Sequence, residues 1–355
     1  MTGCPVRFGG TDYQQVEDPA AVREVFGRVA DFPPANALTA AQPLSRAALD
    51  VLAGAGVSLP PVLASASGEL HARTRRVVAR FFSPGRSAAT EPAIVARTIA
   101  ATERIRAGLG AGPVDLATEL SRQVPAAVLG ELIGVTLPPP EVLQPWSRDS
   151  LELFWGAPDG DRQLQLAHSV ATFYRWLHAQ VLACEGPADG LFGALRAAGL
   201  SLRQRCSLGF FLIIAGQETT VQLINIGLLR AITRTGCWAE LADRDRAGHF
   251  VRRLLATESS VPAWRRIAGQ DGTIAGRPVV RGTELLLRLT GDDHGLAFGY
   301  GVHRCLGATL AELETTLVLH TAARELPGLE LAGPEPDWIR LLCFQTPRTV
   351  LVRAG

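Results

Sequence analysis

Cys305 is the residue best placed to do chemistry in this 355-residue chain. It sits in the stretch Phe298-Gly299-Tyr300-Gly301-Val302-His303-Arg304-Cys305-Leu306-Gly307, whose glycines leave backbone N–H groups free to point at the sulfur. The residues that follow, Ala308-Thr309-Leu310-Ala311-Glu312-Leu313-Glu314, open a helix, and the positive end of its dipole falls at the same sulfur. Both effects favour thiolate over thiol. Leu306, Leu310, Leu313 and Leu317 recur every three or four residues, so one stripe of that helix is apolar and can hold the cysteine on a packed base. A lone cysteine is most often an ordinary buried thiol. The many residue types fixed around this one argue against that reading.

Two further groups could act with it. Ala215-Gly216-Gln217-Glu218-Thr219-Thr220 lies inside an apolar run, about residues 205–234, that reads as one long helix. Glycine inside a helix costs about 1 kcal/mol relative to alanine, so Gly216 asks for a reason such as close approach of another group. The Thr219 hydroxyl can bond back to the Ala215 carbonyl, loosening the helix and leaving room for water, and Glu218 beside it is an acid in an apolar setting. Taken alone, such a pair is more often a solvated face or a simple back-bonded hydroxyl. His71 and Arg75, four apart, share a helix face and could grip carboxylates, although a basic face is usually just solvated.

The pattern F-G-x-G-x-H-x-C-x-G followed by L-A-x-x-E resembles the haem-binding loop of the cytochrome P-450 family, and A-G-x-[DE]-T resembles the segment where that family's central helix crosses the haem. The resemblance implies a mainly α-helical fold with a large helical lobe and a reduced small β-lobe, built around haem b with Cys305 as axial iron ligand. It implies haem contacts for Phe298, Gly299, His303 and Gly307 in the loop and for Ala215 and Gly216 on the central helix, with dioxygen as the group that Gly216 admits. Glu218 and Thr219 become a proton relay. His71 and Arg75, followed in place by Phe82-Ser83-Pro84, become propionate ligands. So does Arg266 in Val261-Pro262-Ala263-Trp264-Arg265-Arg266-Ile267-Ala268, with Arg265 as its neighbouring candidate. The segment 114–135 resembles the family's helix E region, and the 341–346 loop is expected to reach the pocket.

Several features depart from the family. The opening helix and first strands look shortened or absent. Helix K normally carries E-x-x-R, but residues 251–256 offer Arg253 and Ala256 at those places. The A-N-R-D-P segment and the long meander are missing between Gly282 and Phe298, leaving only Asp292-Asp293-His294-Gly295-Leu296-Ala297 before the haem loop. Losing one member of a buried ion pair is strongly destabilising, whereas replacing the whole network by packed apolar groups can be neutral. The shortened connection is therefore expected to pack under helix K, with Arg253 facing outward or pairing with Asp292, Asp293 or Glu258.

Composition bounds the function. Hydrophobic residues at 47% and charged residues at 19% read as a globular, well-packed chain, and a net charge of +1 leaves no electrostatic footprint for nucleic acid. All 35 basic residues are arginine, which points to a GC-rich bacterial genome. Six scattered cysteines with no C-x-x-C pair indicate neither disulfides nor a zinc site. No signal peptide opens the chain, and the strongly apolar stretch 208–216 is far short of a membrane span, so a soluble cytoplasmic protein without a membrane partner is expected. The expectation is one P-450 domain over 1–355, truncated at its start and in the meander. Its activity would be that of a haem-thiolate monooxygenase acting on a small or medium organic substrate in bacterial specialised metabolism, supplied by a ferredoxin-type electron donor. Redox-neutral or peroxide-driven chemistry is the first alternative, motivated by the missing meander, and a non-catalytic accessory protein activating a partner enzyme is the second. Phe210, Phe211, Ile213, Ile214, Trp264 and Leu342 are candidates for an apolar substrate pocket.

Overall fold

The computed structural model describes residues 6–184, 186, 190–291 and 295–355. Its axis is the helix Leu202–Thr233, started by a reciprocal capping box between Ser201 and Gln204. Cys206, Leu208, Phe210 and Leu212 to Ile214 pack into one hydrophobic core, and Leu223, Ile224, Ile226, Leu228, Leu229 and Ala231 pack into another. The four-residue segment between these two cores, Gln217 to Thr220, is polar, a costly choice unless each group has a purpose or a partner. This helix alone, among the described residues, is long and apolar enough to cross a membrane, and it is mostly buried inside the protein.

The first core is completed by the helices Pro140–Trp155 and Gly160–Ala183. The second is completed by Glu91–Leu109, Pro125–Ile133, Arg244–Glu258 and Ala308–Glu325. Leu310 and Leu317 on the last of these are buried, as the leucine stripe predicts, while Leu306 and Leu313 are partly buried. A third, smaller core joins the helix Pro19–Gly27 to a four-stranded sheet. Asp18 caps that helix by accepting from the Ala21 N–H at 2.9 Å, and Pro19 begins it.

The opening strands are present, though short. Val6–Phe8 pairs with Thr11–Val16, which runs parallel to Glu284–Arg288, which in turn pairs antiparallel with Ala263–Ile267. The stretch 114–135 is not one helical run. Val114–Asp115 is a strand against Leu351–Ala354, followed by the short helix Leu116–Glu119 and then Pro125–Ile133. That pairing joins residues more than two hundred apart, so local periodicity carries no trace of it.

The shortened connection after Arg288 packs as expected. The Gly291 N–H donates to the Ala256 carbonyl at 2.6 Å, at the place where the family's helix K arginine would sit. Arg253 is exposed, and Glu258 is engaged by Arg230, whose two guanidinium bonds to it are both 2.7 Å. The alternative partners Asp292 and Asp293 lie outside the described residues, as do His294 and Cys4.

Candidate active site

One cavity, about 1770 Å³ of atom-free space counting its opening to solvent, runs between the central helix and the Cys305 loop. Its floor is the loop. Gly299 and Gly301 adopt φ of +71° and +67°, which side chains with a Cβ resist, and the Cys305 N–H donates to the Phe298 carbonyl at 2.8 Å. Phe298, Gly299, His303, Cys305 and Gly307 all line the cavity. Cys305 is exposed, but to this enclosed space rather than to bulk solvent. The expected stabilisation of thiolate is only partial. Burial raises the Cys305 pKa, and the N–H groups of Gly307 and Ala308, with the charges of Arg75 and Arg304, pull it back without cancelling that rise. A full thiolate therefore needs a cation directly on the sulfur, which is what a metal ion supplies.

Four basic side chains gather at one edge. His71 and Arg75 come from the helix Gly68–Ala79, His303 from the loop, and Arg266 from the strand Ala263–Ile267. Strand residues alternate faces, so Trp264 and Arg266 both look into the cavity. Arg265 turns away, bonding the Thr39 carbonyl at 2.6 Å. The His71 and His303 rings lie 4.4 Å apart. Among the described residues no carboxylate acts on any of the four. Burial and then the Arg75 charge lower the His71 pKa, and burial pushes that of His303 down to about 4 despite its bond to the Ala66 carbonyl, so both imidazoles are neutral; burial lowers Arg75 against the pull of Cys305, and burial alone pushes Arg266 down to about 10. His71 Nε2, His303 Nδ1 and Arg266 Nε are buried without a hydrogen-bond partner. Two arginines beside two neutral imidazoles, with orphaned buried nitrogens among them, call for an anion that accepts hydrogen bonds, and the two propionates of a haem fit that demand.

Opposing the loop in the chain's architecture, Ala215, Gly216, Thr219 and Thr220 line the cavity from the central helix. Thr219 Oγ1 donates to the Ala215 carbonyl at 2.7 Å, the back-bond the sequence predicts, and the Ser260 hydroxyl donates to the Thr219 carbonyl at 2.9 Å. A Cβ added at Gly216 would meet the Leu129 methyls at 3.0 and 3.1 Å, so close packing against Leu129 is one reason for glycine at this position on the cavity wall. One placement differs from expectation. Glu218 does not line the cavity. Successive helix residues point about 100° apart, so when Thr219 faces inward Glu218 turns aside. It accepts from Gln222 at 3.4 Å, and burial raises its pKa against the pull of Arg148 and Arg122.

Phe210, Phe211, Ile214 and Trp264 line the cavity as expected, but Ile213 and Leu342 do not. The Leu342 N–H is tied to the Trp155 carbonyl at 2.8 Å, and Phe344 from the same loop faces the cavity instead. Sequence reasoning also missed Trp155 and Glu314. Glu314 falls on the buried face of its helix between Leu310 and Leu317, a signal that was available, and its pKa is raised well above the ordinary value by burial with no compensating partner. Among the described residues no cluster of His, Cys, Asp and Glu could hold a bare metal ion. Cys305 with a porphyrin edge cradle is the arrangement the residues favour.

Comparison with known proteins decides the family. The chain is 30% identical over 305 residues to cytochrome P450 GfsF of Streptomyces halstedii, covering 77% of this chain and 71% of that one. The chain belongs to the cytochrome P450 family. It is also 30% identical to the mycinamicin IV hydroxylase/epoxidase of Micromonospora griseorubida, over 75% of this P450 and 72% of that enzyme. The solved structure of cytochrome P450 CREJ in complex with (4-ethylphenyl) dihydrogen phosphate superposes with a TM-score of 0.91 at 23% identity, covering all of this chain and 94% of that one. No protein-family model matches the chain. The P450 fold, the haem cofactor with cysteine thiolate ligation, and an oxidoreductase of the monooxygenase type follow, so the accessory-protein alternative is set aside.

Proposed function

We propose that this P450 spans 1–355 as one domain and oxidises a small or medium organic molecule in bacterial specialised metabolism, working in the cytoplasm with a ferredoxin-type electron donor. The observation that carries the reading is a single cavity that brings together Cys305, Thr219 and four basic side chains on which, among the described residues, no carboxylate acts.

In this reading the Cys305 thiolate would ligate the haem iron, His71, Arg75, Arg266 and His303 would hold the propionates, and Phe298, Gly299 and Gly307 would shape the loop that receives the porphyrin. When bound, haem supplies the redox chemistry of dioxygen activation, with a thiolate donating electron density to its iron. The protein's part is to orient substrate, exclude water and position protons. Thr219 Oγ1 is held by the Ala215 carbonyl, so it can present its oxygen to the cavity and pass on a proton. Glu218, buried outside the wall with a raised pKa, is a proton source that acts through Thr219 or an intervening water. The close packing of residue 291 under helix K supports a working, repacked proximal side rather than a decayed one.

Electron supply tests this reading without knowledge of the substrate. Ferric protein mixed under carbon monoxide with a reduced bacterial ferredoxin should form the ferrous–CO complex within seconds. Formation only with dithionite, alongside ready turnover with peroxide, would favour the peroxide-driven alternative.

A further inference from the structure

The part of the cavity away from the haem contacts has a distinctive chemistry. Among the described residues, the ionisable side chains that line the cavity besides Cys305 are His71, Arg75, Arg266, His303, Arg304 and Glu314. The first five belong to the Cys305 loop or the propionate edge, and Glu314 lies on the helix that follows the loop. The remaining wall offers no ion. Its three serines are engaged, because the Ser207 hydroxyl donates to the Pro60 carbonyl at 2.8 Å, that of Ser260 donates to the Thr219 carbonyl, and Ser259 Oγ accepts from the Val261 N–H at 3.3 Å. A charged substrate would be desolvated there with nothing to neutralise it.

What the wall does offer is rings. Trp155, Trp264 and Phe344 come from a helix, a strand and a loop far apart in sequence, and they meet as a triad. Phe344 stands edge-on to both indoles, with centroids 5.2 Å from Trp155 and 6.0 Å from Trp264, and the two indoles lie 6.4 Å apart. Edge-to-face packing of this kind fixes ring orientation and so presents a shaped apolar surface. An aromatic cluster can also serve as a cage for a cation. Arg265 argues against that here. Its guanidinium, buried and anchored on the Thr39 carbonyl, already lies 5.9 Å from the Trp155 ring, so a second cation at this wall would be repelled by the first.

We propose that the substrate is an uncharged molecule that lays an apolar ring system against Trp155, Trp264 and Phe344. This rests on the haem-enzyme reading above, and it narrows the substrate by charge and shape.

The test uses three probes of one skeleton on the haem-loaded protein: 2-ethylnaphthalene, 2-naphthoate, and the permanent cation 2-naphthylmethyl-trimethylammonium. Affinities come from calorimetry, with the haem spin-state shift as a second readout. The neutral probe should bind about 30-fold tighter than either ion. Phe344→Ala should weaken it about tenfold while leaving the straight-chain decan-1-ol within about twofold. Arg265→Met, which leaves the wall itself intact, should raise affinity for the ammonium probe about fivefold or more. Equal or tighter binding of either ion by the unaltered protein overturns the proposal. So does a loss of decan-1-ol affinity as large as that of 2-ethylnaphthalene in Phe344→Ala, or no gain for the cation in Arg265→Met. The ferrous–CO spectrum of the same sample separates the two levels. With a thiolate signature present and no preference for the neutral probe, the enzyme reading stands and the substrate inference falls.

Discussion

Replacing Arg266 by methionine should stabilise the protein without haem and weaken its hold on haem. Arg266 is 1% exposed, its Nε has no partner, and burial alone draws its pKa from 12.5 to about 10. At about 1.4 kcal/mol per pH unit, that displacement corresponds to a burial cost of ~3 kcal/mol in the haem-free protein. Two contacts offset part of it, a Phe26 ring 4.7 Å from the guanidinium and a 2.8 Å bond to the Arg265 carbonyl, together about 1 to 2 kcal/mol. Methionine fills similar space without the charge, so the haem-free variant should gain about 1 to 2 kcal/mol and melt a few degrees higher. Haem binding should move the opposite way. Loss of a charge-assisted bond to a propionate, roughly 1.5 to 3 kcal/mol, is a tenfold to hundredfold weaker hold. Circular-dichroism melts of the haem-free protein and haem transfer to excess apomyoglobin measure the two effects separately, and Arg266→Lys should recover part of the haem retention. A methionine variant that melts lower without haem, or that keeps haem as well as the unaltered protein, would refute the assignment of Arg266 to the propionates.

Other outcomes follow from neighbouring residues. Thr219→Ala should divert reducing equivalents to hydrogen peroxide while haem content stays the same, measured as peroxide formed per electron consumed; unchanged coupling would point to a relay that bypasses Thr219. Glu314 is neutral in the fold, whereas in the unfolded chain it ionises above about pH 4.5, so its contribution to stability is greatest in acid and is lost as pH rises towards its raised folded value. Glu314→Gln should therefore gain stability relative to the unaltered protein as pH increases from about 4.5, and a gain independent of pH in urea titrations would contradict this. Restoring the family's helix K pair with Arg253→Glu and Ala256→Arg together should raise neither thermal stability nor haem retention, because Gly291 already occupies the Ala256 carbonyl and the third partner is missing.

The loop around Cys305 was legible because its information is local: glycines at fixed offsets, then a leucine stripe. The same local information places the helix start at Asp18-Pro19, whereas the central helix begins at Leu202 behind its Ser201 cap, a few residues before its apolar run suggests. What was not legible depends on direction or distance. Glu218 and Thr219 are neighbours in the chain, yet the helix turns one outward and the other inward, and only packing decides which. The close approach at Gly216 could be read from its helix position, but that the approaching group is Leu129 could not. Phe344 rather than Leu342 enters the cavity because a backbone bond to Trp155 sets the twist of the loop, a contact between segments almost two hundred residues apart. The resemblance favoured Arg266 over its neighbour Arg265, and strand pairing supplies the physical reason by fixing which face looks inward.

The central claim is that Cys305 is the thiolate on the iron, and the ferrous–CO difference spectrum of the unaltered protein beside Cys305→Ser tests it most directly. The unaltered protein should show the thiolate signature. The serine variant should still bind haem through the basic edge formed by His71, Arg75, Arg266 and His303 but lose that signature. Survival of the thiolate signature in Cys305→Ser, or its absence from the haem-loaded unaltered protein, would contradict the account.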